Sequence, residues 1–103
     1  MLPSYAPFLK VSVDEDILDM IDSFLKNQSE EVEKLKAAAQ AGDLERCRRI
    51  GHTLKGVGGM YGFPWISQAG AAIETAAKEN PSALEGLASL LSEYLQKVSY
   101  SAG

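Results

Sequence analysis

His52 is the single histidine in a chain of 103 residues. It lies in the run Arg48-Arg49-Ile50-Gly51-His52-Thr53-Leu54-Lys55-Gly56-Val57-Gly58-Gly59-Met60-Tyr61-Gly62, which also holds three cations and five glycines. An imidazole can serve as nucleophile, general base or metal ligand, and its surroundings decide which. Cys47, Ile50, Leu54, Val57/Gly58 and Tyr61 recur every three or four residues, so the run reads as a helix burying one stripe. At about 100° per residue, His52 falls roughly 160° from Leu54, on the opposite, solvent face. Arg48 and Arg49 stand one turn before it, Lys55 and Gly56 one turn after, and Gly59 two turns after. The pattern predicts an exposed imidazole among cations, with no bulky side chain beyond it toward the C-terminus.

The glycines sharpen that expectation. Mid-helix glycine costs about 0.8–1.0 kcal/mol relative to alanine, so Gly56, Gly58 and Gly59 together carry roughly 2–3 kcal/mol. Gly58 points inward, where it would let a neighbouring helix approach. Gly56 and Gly59 share the histidine's face, and there a docking surface explains them better than tolerated clutter.

The run His52-x-x-Lys55-Gly56-x5-Gly62 resembles the signature of histidine-containing phosphotransfer (HPt) domains of two-component phosphorelays. Ala41-Gly42-Asp43 before the motif helix and Ile73-Glu74 on the next are similar to family residues at those places, and the likeness runs from Ile17 to Val98. It implies a small helical bundle whose exposed His52 carries a phosphoryl group to and from an aspartate on a receiver domain. Lys55 matches the family lysine and would offer its charge to the phosphoryl oxygens. The implied partners are response-regulator receiver domains, a hybrid histidine kinase, or both. The magnesium ion and acid pocket would belong to the receiver. The chain is therefore expected to be a phosphoryl carrier without a cofactor of its own, not an independent enzyme.

Attack by one ring nitrogen requires that the proton sit on the other, and a hydrogen-bond acceptor can hold it there. Glu74 is the candidate acceptor, on the flank of the third helix roughly 100° from Ile73. It reads equally well as a surface glutamate paired with Lys78 at i+4. Arg48, Gly56, Gly59 and Lys78 are placed as binding residues. Arg48 and Arg49 could extend the cationic field or meet acidic groups on a partner. A plain solvated face is the favoured reading for Arg49, which points away from Lys55.

Other chemistries find less support. His52 and Cys47 lie on different faces of one helix, and no Glu-x-x-His or His-x-x-x-His pair exists, so no metal site is expected. The glycine-rich run follows no strand and lacks Gly-Lys-Ser/Thr, so it is neither a P-loop nor a dinucleotide fingerprint. With no nucleotide-binding motif, the chain is not expected to phosphorylate itself from ATP. A formal charge of −4 argues against a nucleic-acid binder. No apolar run is long enough to span a bilayer, and the N-terminus carries no export pattern. One cysteine, on the apolar stripe, excludes an internal disulfide and fits a reducing cytoplasm. A cytoplasmic monomer that makes no membrane contact is expected.

The elements that must position His52 follow from the same patterns. Residues 1–11, with Pro3 and Pro7, form an arm extended over the surface and pinned by Phe8, Leu9 and Val11. Ser12-Val13-Asp14-Glu15 reads as a capping box opening a first helix that runs to Ala41, with a kink or break plausible near Asn27. Asp43 caps the motif helix and Gly62 ends it. Pro64 opens a third helix rich in small residues, with Ile66, Ala69, Ile73 and Ala76/Ala77 inward. Asn80-Pro81 breaks it, and Ser82-x-x-Glu85 reads as a capping box for a last helix carrying Leu84, Leu87, Leu91, Tyr94, Leu95 and Val98. Short connections make successive helices antiparallel. The expected fold is all-α: an up-down-up-down four-helix bundle over residues 12–98 with an N-terminal arm or short extra helix. Residues 99–103 are expected to fray, and no strand is expected. The whole of 1–103 is taken as one domain, and the start at Met1 favours a free-standing protein. Two other roles stay open: the phosphoacceptor domain of a larger histidine kinase, and a helical adaptor that binds partners without phosphate.

Overall fold

Two left-handed glycines frame the motif helix. Gly42 (φ 72°) and Gly62 (φ 82°) are the only described residues with positive φ. Each closes a helix the same way. Gly62 N–H donates to Gly59 O and Phe63 N–H to Gly58 O, while Gly42 N–H donates to Ala39 O and Asp43 N–H to Ala38 O. These paired bonds satisfy carbonyls that a helix end otherwise leaves open, and they need a residue without Cβ at the turn. At the opposite end, the Asp43 carboxylate accepts the Arg46 N–H at 3.2 Å, capping the helix as expected.

The structure, a computed structural model, describes residues 2–103, so the start of the arm at Met1 lies outside the described residues. Its helices are α1 (Ile21–Gln40), α2 (Leu44–Tyr61), α3 (Pro64–Glu79, with proline in its first turn) and α4 (Leu84–Lys97). α1 packs on α2 and α4, and α3 packs on the same two, which makes a four-helix bundle. Phe24, near the start of α1, stacks on Tyr61 at the end of α2 with ring centroids 4.3 Å apart, as antiparallel neighbours require. The core takes Ile21, Phe24, Val32 and Leu35 from α1, and Cys47, Ile50 and Leu54 from α2. Trp65, Ile66 and Ile73 of α3 join Leu84, Leu91 and Tyr94 of α4. Each large side chain so buried contributes roughly 1.5–3 kcal/mol.

The first helix departs from expectation at its start. Asp14, not Ser12, is the cap: its carboxylate accepts the Asp16 N–H at 2.9 Å and opens a 3₁₀ helix over Glu15–Met20. Ser12 is drawn instead into a strand. α1 then runs unbroken through Asn27. Gln28, which interrupts the apolar stripe, is buried, and its Nε2 donates to Phe24 O at 3.2 Å. A buried amide satisfied by the preceding turn gives the helix no cause to break. Nor does Ser82 cap α4. It lies in a 3₁₀ turn (Pro81–Ala83) with its hydroxyl on Asn80 Oδ1, and α4 begins without a side-chain cap.

The chain ends differ more. β1 (Lys10–Val13) pairs in parallel with β2 (Ser99–Ala102), with Val11 opposite Tyr100 and Val13 opposite Ala102. Residues 99–103 are therefore held, not frayed: Ser99 N–H donates to Leu9 O and Gly103 N–H to Val13 O. Val11 and Val13 are buried, and the Tyr100 hydroxyl hydrogen-bonds Asp22. The arm is pinned further than Phe8, Leu9 and Val11 alone would do. Trp65 Nε1 donates to Pro3 O at 2.8 Å, the Tyr94 hydroxyl to Phe8 O at 3.3 Å, and Ala6–Phe8 forms a 3₁₀ turn. Two buried aromatics that need acceptors thus fasten the arm to the bundle.

Candidate functional site

With Cys47, Ile50 and Leu54 committed to the core, α2 turns His52 outward, and its side chain is 67% exposed. α3 runs close against α2 because three positions lack Cβ atoms. A Cβ on Gly51 would stand 2.7 Å from Glu74 N and 2.9 Å from Gly70 O. One on Gly58 would stand 2.5 Å from Ser67 N, and one on Gly70 would collide with Lys55 N. The seam is fastened by Ser67, whose hydroxyl donates to Lys55 O at 2.8 Å.

This close approach carries Glu74 to the imidazole. Its Oε2 lies 3.0 Å from His52 Nδ1, and its Oε1 lies 3.6 Å from Lys55 Nζ. A carboxylate can only accept, so Nδ1 holds the proton and donates it to Glu74. In the neutral ring Nε2 is then the unprotonated nitrogen, and it has no protein partner among the described residues. Partial burial of Glu74 opposes its charged form, but the hydrogen bond from His52 and the charge of Lys55 prevail. The carboxyl is held below its ordinary value of 4.5.

His52, Lys55 and Glu74, expected from the sequence to act together, are therefore brought together. Lys78 is not: Glu74 faces the motif helix, and no ion pair joins it to Lys78 among the described residues. Arg48 is diverted as well. Its guanidinium grips both oxygens of Glu45, at 2.5 and 3.1 Å, and that bond raises the arginine's pKa and lowers the carboxylate's. Gly56 and Gly59 both lie exposed. A Cβ at Gly56 would meet nothing within 4 Å, and one at Gly59 only Ser67 Oγ at 3.8 Å. Internal packing does not demand glycine at either place. Gly51, Gly70 and Ser67 were not singled out from the sequence, although the small-residue composition of the third helix pointed toward a close seam. No group of three His, Cys, Asp or Glu among the described residues could hold a metal ion.

An exposed imidazole with its Nδ1 proton fixed by a carboxylate, on the second helix of a four-helix bundle, is an arrangement suited to nucleophilic group transfer. The family model of the Hpt domain matches residues 19–100. The chain belongs to the Hpt domain family, whose members carry phosphoryl groups in two-component signalling. No curated protein and no solved structure matches it. The match begins after β1, so the arm and its strand lie outside the matched region. No helix among the described residues is long and apolar enough to cross a membrane.

Proposed function

We propose that His52 is the phosphoacceptor, taking a phosphoryl group from receiver-domain aspartates and returning it to them. The observation that carries this reading is the 3.0 Å contact from Nδ1 to Glu74 on an otherwise exposed imidazole. The Nε2 lone pair attacks the phosphorus of the receiver's aspartyl phosphate in line with the carboxylate. The N–P bond forms as the P–O bond breaks, the aspartate leaves with the electron pair, and no proton is transferred. The ring becomes positive and Glu74 faces that charge, while Lys55 faces the phosphoryl oxygens. Return transfer follows the same path backwards. Such a displacement is governed by positioning and charge, both of which these three side chains supply. Gly56 and Gly59 leave the approach to His52 open. The protein would work as a cytoplasmic monomer that carries phosphate already activated by a kinase or receiver.

The test is transfer from a panel of radiolabelled receivers. The expected product is acid-labile, base-stable phosphate on His52, absent in His52→Gln. Transfer to His52→Gln at the wild-type rate would overturn the reading. If receivers bound both proteins equally and transferred to neither, the chain would be a phosphate-independent adaptor.

A further inference from the structure

On the side of His52 away from Glu74, α1 and α2 enclose an open pocket of about 370 Å³ lined by Glu31, Lys34, Arg46, Arg49, Ile50 and Thr53. Three of these are cations and one is a carboxylate. Glu31 is occupied by Lys34 at 3.0 Å. The guanidiniums of Arg46 and Arg49 have no ion pair among the described residues, since Asp43 is held by the Arg46 backbone N–H and Glu45 by Arg48. Two guanidiniums outside any ion pair, with Lys34 beside them, outnumber the one carboxylate of the pocket and make a local positive field on a chain whose formal charge is −4. Thr53 follows His52 directly and Arg49 precedes it by three residues, about 4.5 Å along the helix axis. The pocket therefore adjoins the imidazole.

We propose that this pocket is a docking socket for the acidic rim of the receiver domain. A carboxylate-bearing loop seats between Arg46 and Arg49 while the aspartyl phosphate meets His52. The inference rests on His52 being the phosphoacceptor. The charges argue for a carboxylate partner: guanidinium forks bind carboxylates through paired hydrogen bonds, and neither of these two is in an ion pair among the described residues. Ile50 and Thr53 give the side-chain stem an apolar contact. Exposed charges at an interface edge act mainly on the rate and orientation of encounter, so the socket sets partner choice and not the chemical step. Arg48, which the sequence favours for this role, is spent on Glu45, and Arg49 takes its place.

The experiment compares wild type with Arg46→Glu/Arg49→Glu, using the phosphorylated receiver that serves wild type fastest. Arg46→Glu puts a carboxylate in the first turn of α2, where negative charge favours the helix, so the variant should fold. At subsaturating receiver the transfer rate should fall about tenfold or more, with a flatter dependence on salt, while the rate at saturating receiver stays within about twofold. Arg46→Gln/Arg49→Gln should fall between. Variants with the wild-type apparent KM and salt dependence would overturn the socket, and so would a loss confined to the saturating rate. Inorganic phosphate that shifts the Arg46 and Arg49 side-chain resonances at sub-millimolar concentration would assign the pocket to a small anion instead. Phosphoramidate, a small donor that needs no docking, separates the two readings. If it labels His52 of wild type while the receiver kinetics of the variants are unchanged, only the socket fails. If no phosphorylated receiver labels His52 of wild type, both fail.

Discussion

Glu74 faces an imidazole and an ammonium, and its two oxygens divide the work. Oε2 holds the imidazole proton and Oε1 lies nearer the Lys55 ammonium. Removing the carboxylate with Glu74→Ala should shift the His52 tautomer balance and slow transfer. Glu74→Gln still accepts the Nδ1 proton but carries no charge to face the phosphorylated ring, so it should keep the tautomer and only part of the rate. Nitrogen chemical shifts of His52 read the first effect and single-turnover transfer reads the second; identical shifts in wild type and Glu74→Ala would remove Glu74 from the site. The carboxyl is held below 4.5, so its charged form is favoured by folding. The stability this contributes is fully present above 4.5 and is lost as pH falls through the lowered value. Acid melts should therefore show wild type losing its advantage over Glu74→Gln in that window, with no change in their difference at neutral pH. Lys55 is half exposed, so Lys55→Ala should leave stability within about 0.5 kcal/mol while slowing transfer. Equal rates in the two proteins would exclude the ammonium from the mechanism.

At the scale of the element, the α2–α3 seam sorts the glycines into two kinds. Gly51, Gly58 and Gly70 are where the two backbones nearly touch, whereas a side chain at Gly56 would meet nothing and one at Gly59 only the Ser67 hydroxyl at ordinary contact distance. Alanine at Gly51 should force the helices apart, cost about 1–3 kcal/mol and lengthen the His52–Glu74 contact. Alanine at Gly56 or Gly59 should raise stability by up to about 1 kcal/mol, since helical backbone there gains from a side chain with room to stand. Gly59→Gln should also fold, yet put a long side chain on the path to His52 and sharply reduce transfer. Thermal melts and transfer rates on these variants decide between a docking face and a packing face. A destabilised but transfer-competent Gly59→Gln would show that the face is packed.

For the whole molecule, the two chain ends close the bundle. β1 and β2 join residues 10–13 to residues 99–102, with Val11 and Val13 buried beneath and Tyr100 reaching Asp22. Removing residues 99–103 uncovers that apolar surface and should cost about 2 kcal/mol or more, read as a lower melting temperature. The site is built by α2 and α3, so the truncated protein, where folded, should transfer phosphate at the wild-type rate. An unchanged melting temperature would mean that the strand pair adds nothing to the fold.

Much of this was legible along the chain because it is local. Helix stripes, the Asp43 cap, the glycine stops at Gly42 and Gly62 and the outward face of His52 depend on residues within a turn or two of each other, and their spacing records them. Glu74 could be named as a candidate for the same reason, since its angle from Ile73 is a property of one helix. Its actual partner was decided by tertiary structure: only the approach allowed by Gly51 and Gly70 takes it from Lys78 to His52. Arg48 differs, since its carboxylate, Glu45, lies three residues away on the same helix and its capture is a local pairing that the spacing already allows. The strand pair was out of reach for a different reason. Four-residue strands carry too little periodicity to declare themselves, and a parallel pair between the two ends exists only after the helices bring those ends together. Local pattern determined which residues face outward; the separation of α2 and α3 and the meeting of the termini decided what they face.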